Sequence, residues 1–359
     1  MRYERANIAA MHGYVPGKQP ASRDTIKLNT NENPYPPCDA VMDALRTIDP
    51  EALRRYPQPS AEGFRGTAAK LHGLSPEQVV AVNGGDELLR LALTTFVEPG
   101  APIGVCAPSY SLYPVLAEIH GSPVVSAEAR DDWSLPSDLA EQMNRAGVRL
   151  LLLVNPHAPS GVLTSTAALR ALAASLQGVL LVDEAYVDFV DPALGHDLVR
   201  ALQTSDNLLI LRTLSKGYSL AGLRFGYGLG AASLIEPLLW KTRDSYNTDA
   251  IAQRLAIAAL EHRAQAEQTW AKVRRERERV SRELRALGFQ LPESQTNFVL
   301  ARVPGGLVAG SLQQALEARG VLVRYFDEPR LRGSLRITIG NKEQNDRLLT
   351  LLHELVTPR

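Results

Sequence analysis

The chain has 359 residues, of which 45% are apolar and 22% charged, with 39 Lys and Arg against 39 Asp and Glu. The apolar and charged fractions are ordinary for a globular protein and do not indicate disorder. The balanced charge implies no basic surface for nucleic acid or an anionic membrane, so we expect small-molecule partners. Two cysteines, Cys38 and Cys106, are too few for a disulfide framework or a four-cysteine zinc site, and no apolar run reaches the roughly 18 residues that span a bilayer, which together favour a cytoplasmic enzyme.

The first half of the chain predicts an arm followed by a sheet. Pro and Gly are dense in the first sixty residues, which predicts an extended arm. From Val79 onward, short runs of Val, Leu and Ile alternate with helix-length segments, as is typical of parallel strands buried on both faces by helical crossovers. The predicted strands are residues 79–82, 103–106, 150–154, 179–182 and 208–211.

The second half predicts a long helix and a smaller lobe. Residues 250–287 show one helical pattern, and its run of alternating Arg and Glu at 274–279 indicates a solvated face because the acids are interleaved. Strands at 298–303, 321–325 and 335–339 around a helix at 312–319 predict an α+β lobe. We therefore predict an α/β fold with a large domain at 46–248, whose mostly parallel central sheet is flanked by helices. An arm with part of the small domain spans 1–45, and a small α+β domain spans 249–359.

Polar residues follow three of the predicted strands, at the sheet edge where α/β proteins bind ligands. Gly84, Gly85 and Asp86 follow the first strand, and a glycine pair at a helix start frees backbone N–H groups for a phosphate, although a plain turn is the alternative. Asp183 follows the strand at 179–182, with Tyr186 three residues on. A buried carboxylate there requires a cation or a protonated ring nitrogen, unless it only caps the next helix.

Lys216 follows the strand at 208–211 and lies between small and hydroxylic residues. Burial there would lower its pKa and make it nucleophilic, although alone it could be structural. Together with Ser215 and Arg224, these residues meet the demands of pyridoxal 5′-phosphate (PLP). That cofactor requires a lysine for its aldehyde, an acid for its ring nitrogen, a hydroxyl for its ring oxygen and a cup for its phosphate.

Several motifs make the chain resemble the histidinol-phosphate aminotransferases, PLP enzymes of fold type I, nearly end to end. They are LNTNENPY at 28–35, RYP at 55–57, DEAY at 183–186, TLSK at 213–216, LAGLRFG at 220–226 and LRITIG at 335–340. The resemblance implies a homodimeric enzyme that acts in histidine biosynthesis. It implies the reversible conversion of histidinol phosphate and 2-oxoglutarate to imidazole acetol phosphate and glutamate.

The resemblance also implies a role for each site residue. Lys216 would bind the cofactor and shuttle the proton, Asp183 would pair with the ring nitrogen, and Tyr186 would donate to the ring oxygen. The remaining contacts implied are Gly84, Gly85, Asp86, Ser215, Arg224 and Tyr56 of the partner subunit for the cofactor phosphate, Tyr110 for the ring face, and Tyr14, Asn33, Asn297, Arg324 and Arg336 for the substrate. Simpler alternatives are a core tyrosine at 110, a turn residue at 56, and surface or strand-end residues at 14 and 297.

The chain departs from the family at residues 155–161, which read NPHAPSG where the family usually reads NPNNPTG. Ala158 stands where an asparagine normally contacts the ring oxygen of the cofactor. We expect Asn155, His157 or an ordered water to take this contact beside Tyr186; an altered substrate range is the alternative. His157 lacks the neighbouring ligands of a metal site, and we expect none.

Three other functions share some of these motifs. An aromatic amino-acid aminotransferase and a threonine-phosphate decarboxylase of the same fold share most of them. From a different class, the chain could be a PLP-binding regulatory module without turnover, although an intact Lys216 together with Arg336 speaks against this interpretation.

Overall fold

Two β-sheets organise the chain in the computed structural model, which describes residues 3–20, 22 and 24–356. The strands are β1 (Ile26–Leu28), β2 (Val79–Val82), β3 (Ile103–Ala107), β4 (Val124–Glu128), β5 (Leu150–Val154), β6 (Val179–Asp183), β7 (Leu208–Thr213), β8 (Gly226–Gly230), β9 (Phe298–Arg302), β10 (Val321–Tyr325) and β11 (Ser334–Thr338). The α-helices are α1 (Ala6–Ala10), α2 (Asp39–Arg46), α3 (Glu62–His72), α4 (Gly85–Phe96), α5 (Leu112–His120), α6 (Leu139–Arg145), α7 (Thr166–Ser175), α8 (Ala232–Pro237), α9 (Ala250–Glu261), α10 (Arg263–Ala286), α11 (Ala309–Glu317) and α12 (Lys342–Val356).

The larger sheet has the strand order β2-β8-β7-β6-β5-β3-β4. Strands β7, β6, β5, β3 and β4 are parallel neighbours, and β8 runs antiparallel to both β2 and β7. Alternate residues of β5 enter different apolar cores, with Leu151 and Leu153 in one and Leu150 and Leu152 in the other. Both faces are therefore covered, which confirms the predicted mostly parallel sheet flanked by helices.

The smaller sheet has the order β1-β10-β11-β9. Strand β1, near the start of the chain, pairs in parallel with β10, whereas β10, β11 and β9 are antiparallel neighbours. The N-terminal segment thus contributes a strand to a sheet built mainly from the last third of the chain. The domain boundaries proposed from the sequence are compatible with these two sheets and remain a prediction.

Two features differ from the sequence prediction. The segment at 250–287 is two helices, because His262 leaves helical backbone angles (φ −109°, ψ 30°) and its ring Nδ1 lies 3.0 Å from the carbonyl oxygen of Ala258. The N-terminal arm is not simply extended, since it contains α1, α2 and a 3₁₀-helix at Pro50–Arg54. No helix in the described part of the chain is both long and apolar enough to cross a bilayer.

Candidate active site

A cavity of about 230 Å³ lies at the carboxyl ends of β5, β6 and β7 and is lined by residues from both sheets. Of the residues predicted from the sequence, those that line it are Tyr14, Gly85, Asp86, Tyr110, Asp183, Tyr186, Ser215, Lys216, Arg224, Arg324 and Arg336. Those outside its lining are Asn33, Tyr56, Gly84, Asn155, His157 and Asn297. Eleven side chains or backbone positions that are far apart in sequence therefore share one space.

Lys216 lies in the loop that follows β7. The loop is fixed by the Thr213 hydroxyl, which accepts the backbone N–H of Ser215 at 3.1 Å and donates to its Oγ at 2.9 Å. The Lys216 Nζ donates to the carbonyl oxygen of Thr30 at 3.1 Å. Burial, reinforced by the nearby charge of Arg336, lowers the pKa of Lys216 to about 8. A much larger fraction of this amine is therefore neutral and nucleophilic near neutral pH than in an ordinary lysine.

Asp183 is the last residue of β6 and is buried. Its carboxylate accepts the backbone N–H of Ala185 at 3.0 Å and the hydroxyl of Tyr113 at 3.3 Å. Burial raises the pKa of Asp183 to about 7. Among the described residues no Lys, Arg or His forms an ion pair with it. A ligand that brings a protonated ring nitrogen would supply the missing cation, so this carboxylate fits the cofactor implied by the sequence.

Tyr186 and Tyr110 contribute the two phenols of the cavity. The Tyr186 hydroxyl accepts a hydrogen bond from Nδ2 of Asn31 at 3.0 Å, and its ring meets that of Phe298 edge-on at 5.0 Å. Tyr110 lies edge-on to Tyr14, with ring centroids 5.9 Å apart. Burial raises the pKa of both Tyr186 and Tyr110, so both hydroxyls keep their protons and can donate hydrogen bonds.

A candidate anion site lies at the start of α4. Gly84 precedes the helix with a positive φ of 75°, and a Cβ there would approach Nη2 of Arg224 to 2.6 Å, so the position requires glycine. The Arg224 guanidinium lies 3.3 Å from Oδ2 of Asp86 and 3.4 Å from Oγ of Ser215. A helix N-terminus, a guanidinium and a hydroxyl thus converge, which is an arrangement that binds phosphate.

Two arginines from the smaller sheet also line the cavity. Arg324 on β10 and Arg336 on β11 are directly paired across the strands. The Nη2 of Arg336 donates to the carbonyl oxygen of Asn29 at 3.2 Å, and its buried Nε has no hydrogen-bond partner among the described residues. The rings of Phe298 and Phe326 each lie 5.3 Å from this guanidinium. A largely desolvated guanidinium with an unused hydrogen-bond donor is suited to binding an anionic group of the substrate.

Asn155 and His157 do not reach the cavity, contrary to the expectation that one of them replaces the amide missing at Ala158. Oδ1 of Asn155 accepts the backbone N–H of Thr164 at 2.7 Å, and its Nδ2 donates to the carbonyl oxygen of the same residue at 3.2 Å. The ring nitrogens of His157 lie 2.7 Å from Oγ of Ser160 and 2.8 Å from the carbonyl oxygen of Pro108. Both side chains hold the loop that carries Ala158, which itself lines the cavity.

Asn33 and Asn297 support the cavity from outside its lining. Nδ2 of Asn33 donates to the carbonyl oxygen of Gly217, next to Lys216, at 3.1 Å. Asn297 is fully buried, and its Nδ2 donates to the carbonyl oxygen of Asn31 at 2.9 Å. Asn31, within the LNTNENPY motif, lines the cavity although the sequence did not predict a role for it. Asn31 and Tyr186 are 155 residues apart in the sequence, and no local sequence pattern predicts their contact.

Tyr56 lies apart from this cavity. It is 80% exposed and stacks on Tyr246 with ring centroids 4.4 Å apart.

Nowhere in the described residues do three or more His, Cys, Asp or Glu side chains gather as a metal site would require.

Comparison with known proteins gives one consistent family. The model of aminotransferase class I and II matches residues 23–352. Histidinol-phosphate aminotransferase 1 of Nostoc sp. is 41% identical over 358 residues, covering 99% of both chains, and histidinol-phosphate aminotransferase of Synechocystis sp. is 41% identical over 353 residues, covering 98% of this chain and 97% of that protein. The crystal structure of histidinol-phosphate aminotransferase from Sinorhizobium meliloti in complex with pyridoxal-5′-phosphate superposes with a TM-score of 0.89 at 24% identity, covering 99% of this chain and 98% of that one.

Proposed function

Because the chain belongs to the class I and II aminotransferases and, among them, to the histidinol-phosphate aminotransferases, we propose that it transfers an amino group from histidinol phosphate to 2-oxoglutarate with PLP. The reversible products are imidazole acetol phosphate and glutamate, within histidine biosynthesis. One observation carries the proposal: the amine of Lys216, the buried carboxylate of Asp183 and the guanidinium of Arg336 line a single cavity.

The described residues fit PLP, which when bound supplies an aldehyde that reacts with amines and a ring that withdraws electrons from the substrate carbon. Asp183 would hold the ring nitrogen, Tyr186 the ring oxygen and Tyr110 the ring face. The N-terminus of α4 (Gly84 to Asp86), Ser215 and Arg224 would hold the phosphate. Each of these groups lines the cavity or, in the case of Gly84, lies directly against Arg224.

Lys216 performs the proton transfer in this proposal. Because its pKa is lowered to about 8, its Nζ would accept a proton from the substrate carbon near neutral pH and deliver it to the carbon of the cofactor's aldehyde group. The carboxylate of Asp183 would stabilise the protonated ring nitrogen of the cofactor, and with it the negative charge that develops on the substrate carbon.

Arg336 and Arg324 bind the anionic end of either substrate. Histidinol phosphate carries a phosphate and no carboxylate, whereas glutamate carries two carboxylates. A guanidinium fork accepts either group, so one cavity serves both partners. Asn33 and Asn297 act indirectly, since they hold Gly217 and Asn31 in place.

Replacing Arg336 with Ala is expected to lower kcat/KM for both substrates by roughly 30-fold or more, because a buried charge-assisted contact is lost. Arg336→Lys keeps the charge but loses the fork, and recovers only part of this loss. Steady-state kinetics with each substrate measures the effect. Arg302→Ala, which removes an exposed arginine from neighbouring β9, serves as the control. Equal kinetics for the Arg336 and Arg302 variants would contradict the role.

The enzyme acts as a cytoplasmic homodimer in this proposal, and Tyr56 of the partner subunit contacts the cofactor phosphate. The homodimer is supported by the stacked pair of Tyr56 and Tyr246, whose exposed rings offer an aromatic surface to a partner subunit. The cytoplasmic location is supported by the two cysteines, which are both free thiols.

Co-expressed Lys216→Ala and Tyr56→Ala chains are expected to be more active than either variant alone. In a mixed dimer one site carries both changes and the other carries neither, provided that Tyr56 acts across the interface. Activity of affinity-purified mixed dimers against both homodimers measures this. If Tyr56 serves its own chain, every site in the mixed dimer is damaged and no activity is regained.

The choice of substrate is tested by mixing the PLP-loaded protein with histidinol phosphate, phenylalanine or threonine phosphate and following the absorbance of the bound cofactor. We expect histidinol phosphate to bleach the band fastest. Faster bleaching by phenylalanine would indicate an aromatic aminotransferase, and release of CO₂ from threonine phosphate would indicate a decarboxylase. A stable yellow protein that reacts with none of them would indicate a binding module.

A further inference from the structure

Asn31 is held rigidly at the wall of the cavity. It is buried, lines the cavity and has a positive φ of 58°. The hydroxyl of Thr338 accepts its backbone N–H at 3.0 Å and donates to its Oδ1 at 3.1 Å, while Nδ2 of Asn297 donates to its carbonyl oxygen at 2.9 Å. Because Oδ1 accepts the Thr338 proton, the amide is oriented with Nδ2 toward Tyr186.

The Tyr186 hydroxyl lies near Arg336, Asp183 and Tyr14, but the hydrogen bond that it accepts comes from Asn31. Its ring packs against Val154, Ala158 and Phe298. Among the described residues, Asn31 is its hydrogen-bond partner, with 3.0 Å between Nδ2 and Oη. The phenol oxygen accepts in this contact, so its single proton remains free for an acceptor inside the cavity.

We propose that Asn31 is a positioning residue, which orients the Tyr186 hydroxyl so that its proton is donated to the ring oxygen of the bound cofactor. Ala158, which packs with the Tyr186 ring, has no polar side-chain group that could do this. The inference rests on the proposed function, because it requires PLP in the cavity. It gives the segment after β1 an indirect role at the ring oxygen, through Tyr186, whereas the side chains of Asn155 and His157 are hydrogen-bonded to Thr164 and Ser160.

An alternative is that Asn31 only ties the segment after β1 to β11 through Thr338. The two roles differ in what an isosteric change does. Asn31→Asp keeps the size and the acceptor for Thr338, but turns the donor facing Tyr186 into an acceptor. The phenol proton would then be drawn to the carboxylate and away from the cofactor. A merely structural residue would affect stability and leave the electronic state of the cofactor unchanged.

The first test measures the absorbance of the bound cofactor against pH in Asn31→Ala and Asn31→Asp holoenzymes. A hydrogen bond to the ring oxygen favours the deprotonated chromophore, so its loss is expected to raise the midpoint by roughly 0.5 to 1 pH unit in Asn31→Ala and by more in Asn31→Asp. Asn144→Ala removes an asparagine that pins a remote surface loop through Ser175 and Gln177, and is expected to leave the midpoint unchanged. Unchanged midpoints in both Asn31 variants would overturn the inference.

A second test needs no cofactor. The ring ¹³C signal of Tyr186 in the cofactor-free protein, assigned by Tyr186→Phe, is expected to move in Asn31→Ala and not in Asn144→Ala. If the Asn31 variants do not fold, Thr338→Val releases the amide and should shift both readouts in the same direction. An unmoved Tyr186 signal overturns the inference. Failure of the unaltered protein to bind PLP would instead overturn the proposed function, and the two outcomes are therefore distinct.

Discussion

Replacing Lys216 with Ala is expected to abolish covalent attachment of PLP and to lower kcat by roughly 10³-fold or more, because one amine is both nucleophile and proton carrier. The structure gives this lysine the required properties. Its amine lies in the cavity, its pKa is lowered to about 8, and the carbonyl oxygen of Thr30 orients it. Borohydride reduction followed by peptide mapping measures attachment, and steady-state assays measure turnover.

The matched control is Lys241→Ala. Lys241 is exposed and pairs at the surface with Glu236, so its loss is expected to change neither attachment nor rate. Lys216→Arg keeps a positive charge but cannot form the covalent bond, and should be as inactive as Lys216→Ala. A borohydride label on another lysine, or normal turnover of either variant, would remove the basis of the proposed function.

Asp183→Asn is expected to lower kcat by roughly 10²- to 10³-fold with a smaller effect on PLP affinity. The carboxamide keeps the acceptor for the Ala185 N–H but loses the charge that favours a protonated ring nitrogen. Single-turnover kinetics and a PLP titration separate the two effects. Asp197→Asn, at an exposed pair with Arg200, provides the control. Equal losses of rate and affinity would contradict an electrostatic role.

Without PLP, Asp183→Asn is also expected to change how the free energy of unfolding depends on pH. Burial raises the pKa of Asp183 in the folded protein from its ordinary value of 3.8 to about 7. Between these two values the unfolded chain binds fewer protons at this group than the folded chain. The free energy of unfolding therefore falls as pH rises from about 4 to about 7, by roughly 4 kcal/mol at most. Cofactor-free Asp183→Asn should lack this component, and thermal unfolding of both proteins across this pH range measures the difference. Parallel curves would show that the buried charge has no such cost.

The sequence predicted five of the seven strands of the larger sheet because they are continuous apolar runs, and β2 and β5 have the predicted bounds. It missed β4 and β8 for physical reasons. β4 is an edge strand with mostly exposed residues, and β8 reads Gly-Tyr-Gly-Leu-Gly, in which small residues fit against other elements. A Cβ at Gly228 would lie 2.9 Å from Val80. Such packing is set by tertiary structure and leaves no periodic pattern.

The same distinction, between features set by local sequence and features set by tertiary packing, applies to the site. Residues that come directly after apolar strands, such as Asp183 and Lys216, could be located from sequence because the ends of parallel strands meet at one edge. Contacts made across the two sheets could not. Asn31 reaches Tyr186 from a different sheet, and the assignment of Asn155 and His157 to the missing amide ignored the polar groups of their own loop.

Three consecutive residues after β1 each hold a different member of the site: Asn29 contacts Arg336, Thr30 contacts Lys216 and Asn31 contacts Tyr186. Strand β1, paired with β10, sets the position of all three. A one-residue deletion or insertion directly after β1 would shift all three residues along the chain and break all three contacts at once. This short stretch should therefore tolerate substitutions at single positions better than any change in length, a constraint for engineering that no individual side chain reveals.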